Sequence, residues 1–314
     1  MLSRRLLRIK AIKALYAHFK SESDSLTASE KNLMFGIDKT YELYHQLLWL
    51  IVDVADVAEA RIELGKRKHL PTPEELNPNT KLVENRVIAA IRHSETLCDY
   101  LESHKLGWVN YPELIKKLYR EMVASDYYQA YMADEKRSFK SDVKLVQNFY
   151  LNTVDNSEDL ETVVEEQSIM WADDLDFANI MVLRTLDDMR ASQEELPLLP
   201  KFKNDEDERF VKDLFRGTVV NQKKYFEYID KFTQNWDVDR IAFMDNLIMA
   251  TAMTELLTFP SIPVKVTLDE YIEIAKYYST PSSSVFINGV LDKIVEEFRQ
   301  EGRLEKSGRG LLEE

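Results

Sequence analysis

The sequence holds a single cysteine, Cys98, so no intrachain disulfide and no paired-thiolate metal knuckle can form, and nothing in it requires an oxidising compartment. Glycine is almost as sparse, with 8 in 314 residues against a usual frequency near 7%. That scarcity removes phosphate-cradling loops: neither GxxxxGK(S/T) nor GxGxxG occurs, and the one GxG, Gly308 to Gly310, falls in a polar tail. Nucleotide-dependent catalysis has no support here. Histidine is absent after His104, so the remainder of the chain cannot host a His-based triad or a His metal site by itself. Glu42 and His45 make a single E-x-x-H, whereas a di-iron bundle needs two copies and two further glutamates, so no metal site and no cofactor is expected. Long apolar runs are missing too. The longest, Leu47 to Val57, is broken by Asp53 and Asp56 and is far short of the ~20 residues of a membrane span, so a cytoplasmic protein with no membrane association is expected.

What is present is helix-forming composition. The chain is 45% hydrophobic and 31% charged, long enough for about two domains with cores of their own. No convincing strand alternation appears, so the fold class expected is all-α. Two breaks organise it: Leu70 to Thr80 with three prolines, and Glu194 to Glu208, where Pro197 and Pro200 precede four consecutive acids. Between them, helices are expected over Leu82 to Leu101, Tyr111 to Ala133 and Asp176 to Met189. After them, one is expected through Val211, Leu214, Phe215, Tyr225 and Ile229, and another over the apolar window Ile241 to Phe259. Thr267 and Glu270 have the spacing of a capping box opening the next helix. Gly289, inside the last one, suggests close approach of a neighbouring helix. The windows beginning at Trp171 and Trp236 echo each other without a fixed period and do not establish a repeat.

Charge is unevenly spread. The net charge is −14, yet residues 1–20 carry Arg4, Arg5, Arg8, Lys10, Lys13 and Lys20 and no acid, giving +6, while residues 155–208 carry 17 acids against four cations, giving −13. The basic start lacks the serine richness of a transit peptide, and Arg8, Lys10 and Lys13 interrupt any secretory apolar core. A solvated helix face and a surface for RNA or another polyanion both remain open. Adjacent acids such as Asp173/Asp174 and Glu165/Glu166 point to different sides of a helix and read as solvated faces rather than paired general acids.

Read together, the two ends resemble the NusB family of transcription antitermination factors. The N-terminal pattern is Arg4-Arg5-x-x-Arg8-x-x-Ala11-x-Lys13-Ala14-Leu15-Tyr16. The C-terminal pattern runs from Phe210 through Asp213, Leu214 and Gly217, across Met253-Thr254-Glu255-Leu256, and without a gap from Pro263 to Phe286-Ile287-Asn288-Gly289-Val290-Leu291-Asp292-Lys293. The resemblance implies an all-helical, NusB-like bundle that is not an enzyme. It also implies binding of boxA-like single-stranded RNA together with NusE, a small-subunit ribosomal protein, in a transcription elongation complex that promotes full-length transcription of rRNA operons. The RNA-binding residues it implies are Arg4, Arg5, Arg8, Lys13 and Tyr16, with Asp245 and the turn carrying Ser282, Ser283 and Phe286. From the residues alone, Arg4 and Arg8 lie on one helical side with Arg5 beside Arg8, a spacing suited to phosphates, and Tyr16 offers a ring for an unpaired base; core packing is the plain alternative for Tyr16 and Phe286.

The sequence departs from the family pattern in places. Lys13 replaces the usual Gln, Ala250 stands where Arg is common, Thr254 where Tyr is common, and Ser282 replaces an acid. The organisation expected is a basic helix over 1–22, a helical insertion over 23–200 far longer than the family's usual connection, a NusB-like C-terminal domain over 201–300 and a polar tail over 301–314. Two other readings bear on the same residues. A helical interaction scaffold without RNA affinity is made plausible by the acidic insertion. An rRNA cytosine methyltransferase would need a further domain with a catalytic Cys and a glycine-rich cofactor loop after the NusB-like match.

Overall fold

A computed structural model gives the arrangement of residues 1–21, 25–193, 195–233 and 242–312. Among these residues there are helices and no strand. In chain order they are α1 (Arg4–Lys20), α2 (Leu26–Lys66), α3 (Pro73–Leu76), α4 (Arg86–Arg92), α5 (Glu95–His104), α6 (Pro112–Ala124) and α7 (Asp126–Ala133). There follow α8 (Phe139–Asn148), α9 (Glu158–Gln167), α10 (Leu175–Asp188), α11 (Asp205–Thr233), α12 (Phe243–Thr258), α13 (Val264–Tyr278) and α14 (Ser283–Gln300). The echo of the Trp171 window at Trp236 begins outside the described residues.

Small polar residues cut the helices where hydrophobic periodicity alone runs on. The window 82–101 divides because Ser94 caps α5, its hydroxyl accepting from the Leu97 N–H. The window 111–133 divides because Ser125 caps α7 in the same way, accepting from Tyr128. The proline-rich break at 70–80 contains a single helical turn: Pro73 occupies its first position, and Thr72 and Glu75 satisfy each other's backbone N–H.

The chain divides into two compact units. One comprises residues 1–2 and 38–201. Its spine is the later part of α2, where Leu43, Leu47, Leu48, Leu50, Ile51 and Val54 are fully buried. Large aromatic side chains dock on that spine by donating to its main-chain carbonyls: Trp171 to Lys39 (2.6 Å), Trp108 to Gln46 (2.9 Å) and Tyr150 to Leu47 (2.6 Å). After α8 the chain widens into a π-turn over Phe149–Val154, and Asn179 of α10 donates to the Tyr150 carbonyl there. Glu42 and His45, the E-x-x-H pair, are both occupied by neighbours: Glu42 accepts from Lys39 at 2.6 Å, and the His45 ring bonds the Tyr41 carbonyl and stacks on Tyr100 at 3.8 Å.

The other unit comprises residues 3–37 and 202–314, so residues 26–37 at the start of α2 group with the C-terminal helices rather than with the insertion. Here α11 packs along α12 and α1, and α12, α13 and α14 follow as successive neighbours. The close helix crossing lies at Gly217, not Gly289. A Cβ on Gly217 would sit 2.7 Å from Thr254 Cγ2, and the Thr218 and Thr254 hydroxyls bond across the crossing at 2.8 Å, whereas nothing lies within 4 Å of a Cβ on Gly289. The capping box expected at Thr267 and Glu270 does not form. Pro263 sets the start of α13 with φ −58°, which leaves Thr267 inside the helix and buried.

The tail folds back on the domain. Gly302, at φ +66°, ends α14 with Arg303 N–H donating to the Phe298 carbonyl, a left-handed reversal that favours glycine. Ser307 N–H then donates to the Pro260 carbonyl at 3.0 Å, and Lys306 donates to the Leu256 and Phe259 carbonyls at the end of α12. Gly310 packs so closely that a Cβ would lie 1.9 Å from the Pro260 carbonyl oxygen. Burial lowers the Lys306 pKa, while the nearby Glu255 charge works the other way.

Candidate nucleic-acid interface

Helix α1 begins at Ser3, whose hydroxyl accepts from the Leu6 N–H, and it buries Leu6, Leu7, Ile9, Ala11, Ile12 and Leu15. Its six cations therefore divide by where they fall around the helix. Arg8 points inward and is 3% exposed. Both its Nε and Nη2 donate to the Glu255 carboxylate at 2.7 Å, and Glu255 is itself 0% exposed. Two more donors complete that carboxylate: Thr267 Oγ1 at 2.9 Å and the Tyr271 hydroxyl at 3.0 Å. Burial works against the Arg8 charge, but the hydrogen bonds and charge of Glu255 outweigh it, and the guanidinium pKa is raised. Burial beside the Glu255 charge pushes the Tyr271 hydroxyl well up.

Arg4 and Arg5 sit nearer the surface. Arg4 donates to Asp207 at 2.8 Å and Arg5 holds Glu270 through two bonds of 2.9 Å, with their side chains 38% and 47% exposed. The Glu270 hydrogen bonds raise the Arg5 pKa. The guanidiniums of Arg4 and Arg8 both lie over the Phe210 ring, at 5.2 and 5.4 Å from its centroid. Arg8 thus departs from the phosphate-following trio expected of the sequence: the buried Glu255 draws it into the core, while Arg4 and Arg5 stay at the rim.

Further along α1, Lys13 Nζ lies 5.4 Å from the Tyr278 ring centroid, which brings the middle of α1 to the end of α13. Tyr16 is exposed and packs edge-on against Phe243, and Lys20 lies over both rings, at 5.9 and 4.5 Å. Asp245 and Ser283 are buried. Asp245 accepts from the hydroxyls of Ser279 and Ser283, the latter at 2.9 Å, and Ser283 also bonds the Thr280 hydroxyl at 2.7 Å. These two residues pin the α13–α14 turn rather than face solvent. On that turn Ser282 is exposed, Phe286 is half-buried, and Tyr277 and Val285 stand out at 81% and 77% exposure. Ala250 and Thr254, two of the departures, are wholly buried. Among the described residues no group of three His, Cys, Asp or Glu side chains could hold a metal ion, and no helix is long and apolar enough to cross a membrane.

Residues 176–296 match the sequence model of the NusB family. Over that span the chain is similar to the NusB family. Its relatives include proteins called "Transcription antitermination protein NusB" from Salinibacter ruber, 48% identical over 103 residues, and Chloroherpeton thalassium, 39% identical over 104. A third, from Natranaerobius thermophilus, is 36% identical over 92 residues. These matches cover 33%, 33% and 29% of this chain, and the chain spans 64%, 49% and 66% of the three relatives' own lengths. No solved structure matches. The NusB match begins inside α10 and takes in the acidic connection before α11, while α1 lies outside it.

The sequence reading missed the acceptors that sort the α1 cations: Glu255, Asp207 and Glu270, together with Thr267, Tyr271 and Phe243. A signal for Glu255 was present. It is a lone carboxylate deep in the apolar run of α12, and such a group must find a cation or lose its charge.

Proposed function

We propose that this protein is a non-catalytic transcription antitermination factor that binds boxA-like single-stranded RNA together with NusE, within the transcription elongation complex, to promote full-length transcription of rRNA operons. The observation that supports it best is the acid-free α1, with Arg4 and Arg5 partly exposed near its start and Lys20 over the exposed ring of Tyr16 near its end. Cations can follow phosphates while an exposed ring stacks an unpaired base. The salt bridges of Arg4 and Arg5 do not preclude this, because part-exposed ion pairs are worth at most about 1 kcal/mol and a phosphate supplies equivalent acceptors. Ser282 and Phe286 extend the surface onto the α13–α14 turn. Arg8, Asp245 and Ser283 hold it in shape from within. Under this reading the basic helix is residues 1–22, the NusB-like domain 201–300 and the polar tail 301–314, with the insertion 23–200 added between.

The test is fluorescence anisotropy of a boxA-like RNA titrated with the protein, alone and with NusE, at two salt concentrations. Binding that weakens with salt, tightens with NusE and falls about tenfold or more in Arg4→Ala/Arg5→Ala is expected. Retained NusE binding with no RNA binding under any condition would instead leave a helical interaction scaffold.

A further inference from the structure

We infer that the unit formed by residues 38–201 carries a second single-stranded RNA surface, centred on Phe139 at the start of α8 and independent of α1. The acidic character of this region conceals a basic run. Residues 136–144 read KRSFKSDVK, with Lys136, Arg137, Lys140 and Lys144 against one acid, Asp142. That acid faces inward: Asp142 is buried, accepting from the Tyr131 hydroxyl at 2.8 Å and from Arg86 Nε at 3.0 Å. Its charge is thus met within the core of the unit, while Lys136, Lys140 and Lys144 are exposed. Lys140 and Lys144 stand one turn apart on α8 and so share a face, and Lys136 leads into it.

An aromatic group sits among these cations. Phe139 is half-buried at the first position of α8, fixed by the Ser138–Ser141 capping box, and the Arg86 guanidinium lies 5.7 Å from its ring centroid with its side chain 52% exposed. A ring and a guanidinium plane in contact, bordered by lysines, is the arrangement that stacks bases and follows a phosphate backbone without reading sequence. The facing acids are Glu84, paired with Arg137, and Asp134 and Glu135 in the preceding link, where Asp134 accepts from the Lys136 backbone N–H. A further acid, Asp187 of α10, accepts from Gln147 at 2.6 Å near the end of α8.

The experiment uses the full chain and a uridine 12-mer carrying one 4-thiouridine, with anisotropy read across a salt series and photo-adducts located by mass spectrometry. Lys136→Ala/Lys140→Ala/Lys144→Ala is expected to flatten the log–log salt slope by about 2 and to weaken low-salt binding about tenfold. Phe139→Leu keeps an apolar group in place and is expected to abolish an adduct on the peptide containing residue 139. Arg4→Ala/Arg5→Ala, measured in parallel, separates the two surfaces. Loss in the lysine variant with the arginine variant unchanged supports this surface and counts against the α1 reading. An unchanged slope in the lysine variant, or no adduct at residue 139 in the wild type, overturns the inference while leaving the α1 surface to stand or fall on its own variant. Binding of an acidic peptide in place of RNA, lost in the same lysine variant, would overturn it as well.

Discussion

The two units solve the same problem, fixing helices against one another, with different chemistry. In the unit of residues 3–37 and 202–314, an ion pair inside the core does it: Arg8 reaches Glu255, and Thr267 and Tyr271 fill the remaining carboxylate sites. Around the α2 spine of the unit of residues 38–201, neutral donors do it, as indole and phenol groups bond the carbonyls of α2. A buried ion pair is costly to leave half-made, so it tolerates only one register between α1, α12 and α13. A neutral aromatic donor bonds a carbonyl that already has its helical partner, so losing it costs far less. The contrast predicts a brittle NusB-like unit and a more forgiving second one.

The largest expected effect follows directly. Glu255→Ala leaves a buried guanidinium unpaired and should cost about 3–5 kcal/mol in chemical denaturation, whereas Arg8→Met/Glu255→Leu, which removes both charges, should recover most of that. A double variant as unstable as the single one would mean that the pair is not the source of the brittleness. Next comes Gly217→Ala, which forces a methyl to 2.7 Å from Thr254 Cγ2 and should cost about 1–3 kcal/mol; pairing it with Thr254→Ser, which deletes that methyl, should restore part of the loss. The same substitution at Gly289, where a Cβ meets nothing, should stabilise by up to about 1 kcal/mol. In the other unit, Tyr150→Phe keeps the ring and removes only the hydroxyl that bonds the Leu47 carbonyl, a loss of about 1 kcal/mol.

A smaller effect is pH-dependent. Burial first, and the nearby His104 charge second, lower the His45 pKa to about 4. The unfolded chain, with the histidine near 6.5, therefore binds more protons across that window. Stability of this unit should be full above about pH 6.5 and fall progressively toward pH 4, and His45→Gln should remove that part of the slope. Asp53, raised to about 6 by burial, acts in the opposite sense: the folded state holds its proton longer, so its contribution fades as pH rises from about 4 to 6. Comparing the two proteins at each pH isolates the histidine from the rest.

What was legible in the sequence follows the same division. The helical class, the proline breaks and the NusB-like pattern rest on composition and on contiguous motifs, which local physics fixes. The splitting of the helical windows at Ser94 and Ser125 was not legible, because a serine inside an apolar period is neutral until its hydroxyl is seen to cap. The capping box at Thr267 failed for a related reason: the spacing was right, but Pro263 had already begun the helix and Glu255 claimed the threonine. Gly289 drew attention that belonged to Gly217, because closeness depends on the partner helix and not on the glycine. The tail after Gly302 reads as polar, yet Gly310 is held where no other residue fits. Within α1, the count of cations was plain, while their sorting into Arg8 inside and Arg4 and Arg5 at the rim depended on acids more than two hundred residues away.

That sorting is also the account's central claim, and salt dependence tests it most directly. The slope of log affinity for a boxA-like RNA against log salt should flatten by about 1.4 in Arg4→Ala/Arg5→Ala, two phosphate contacts at about 0.7 each, and stay at the wild-type value in Arg8→Met/Glu255→Leu. A slope that flattens in the Arg8 variant, with the Arg4/Arg5 variant unchanged, would contradict it.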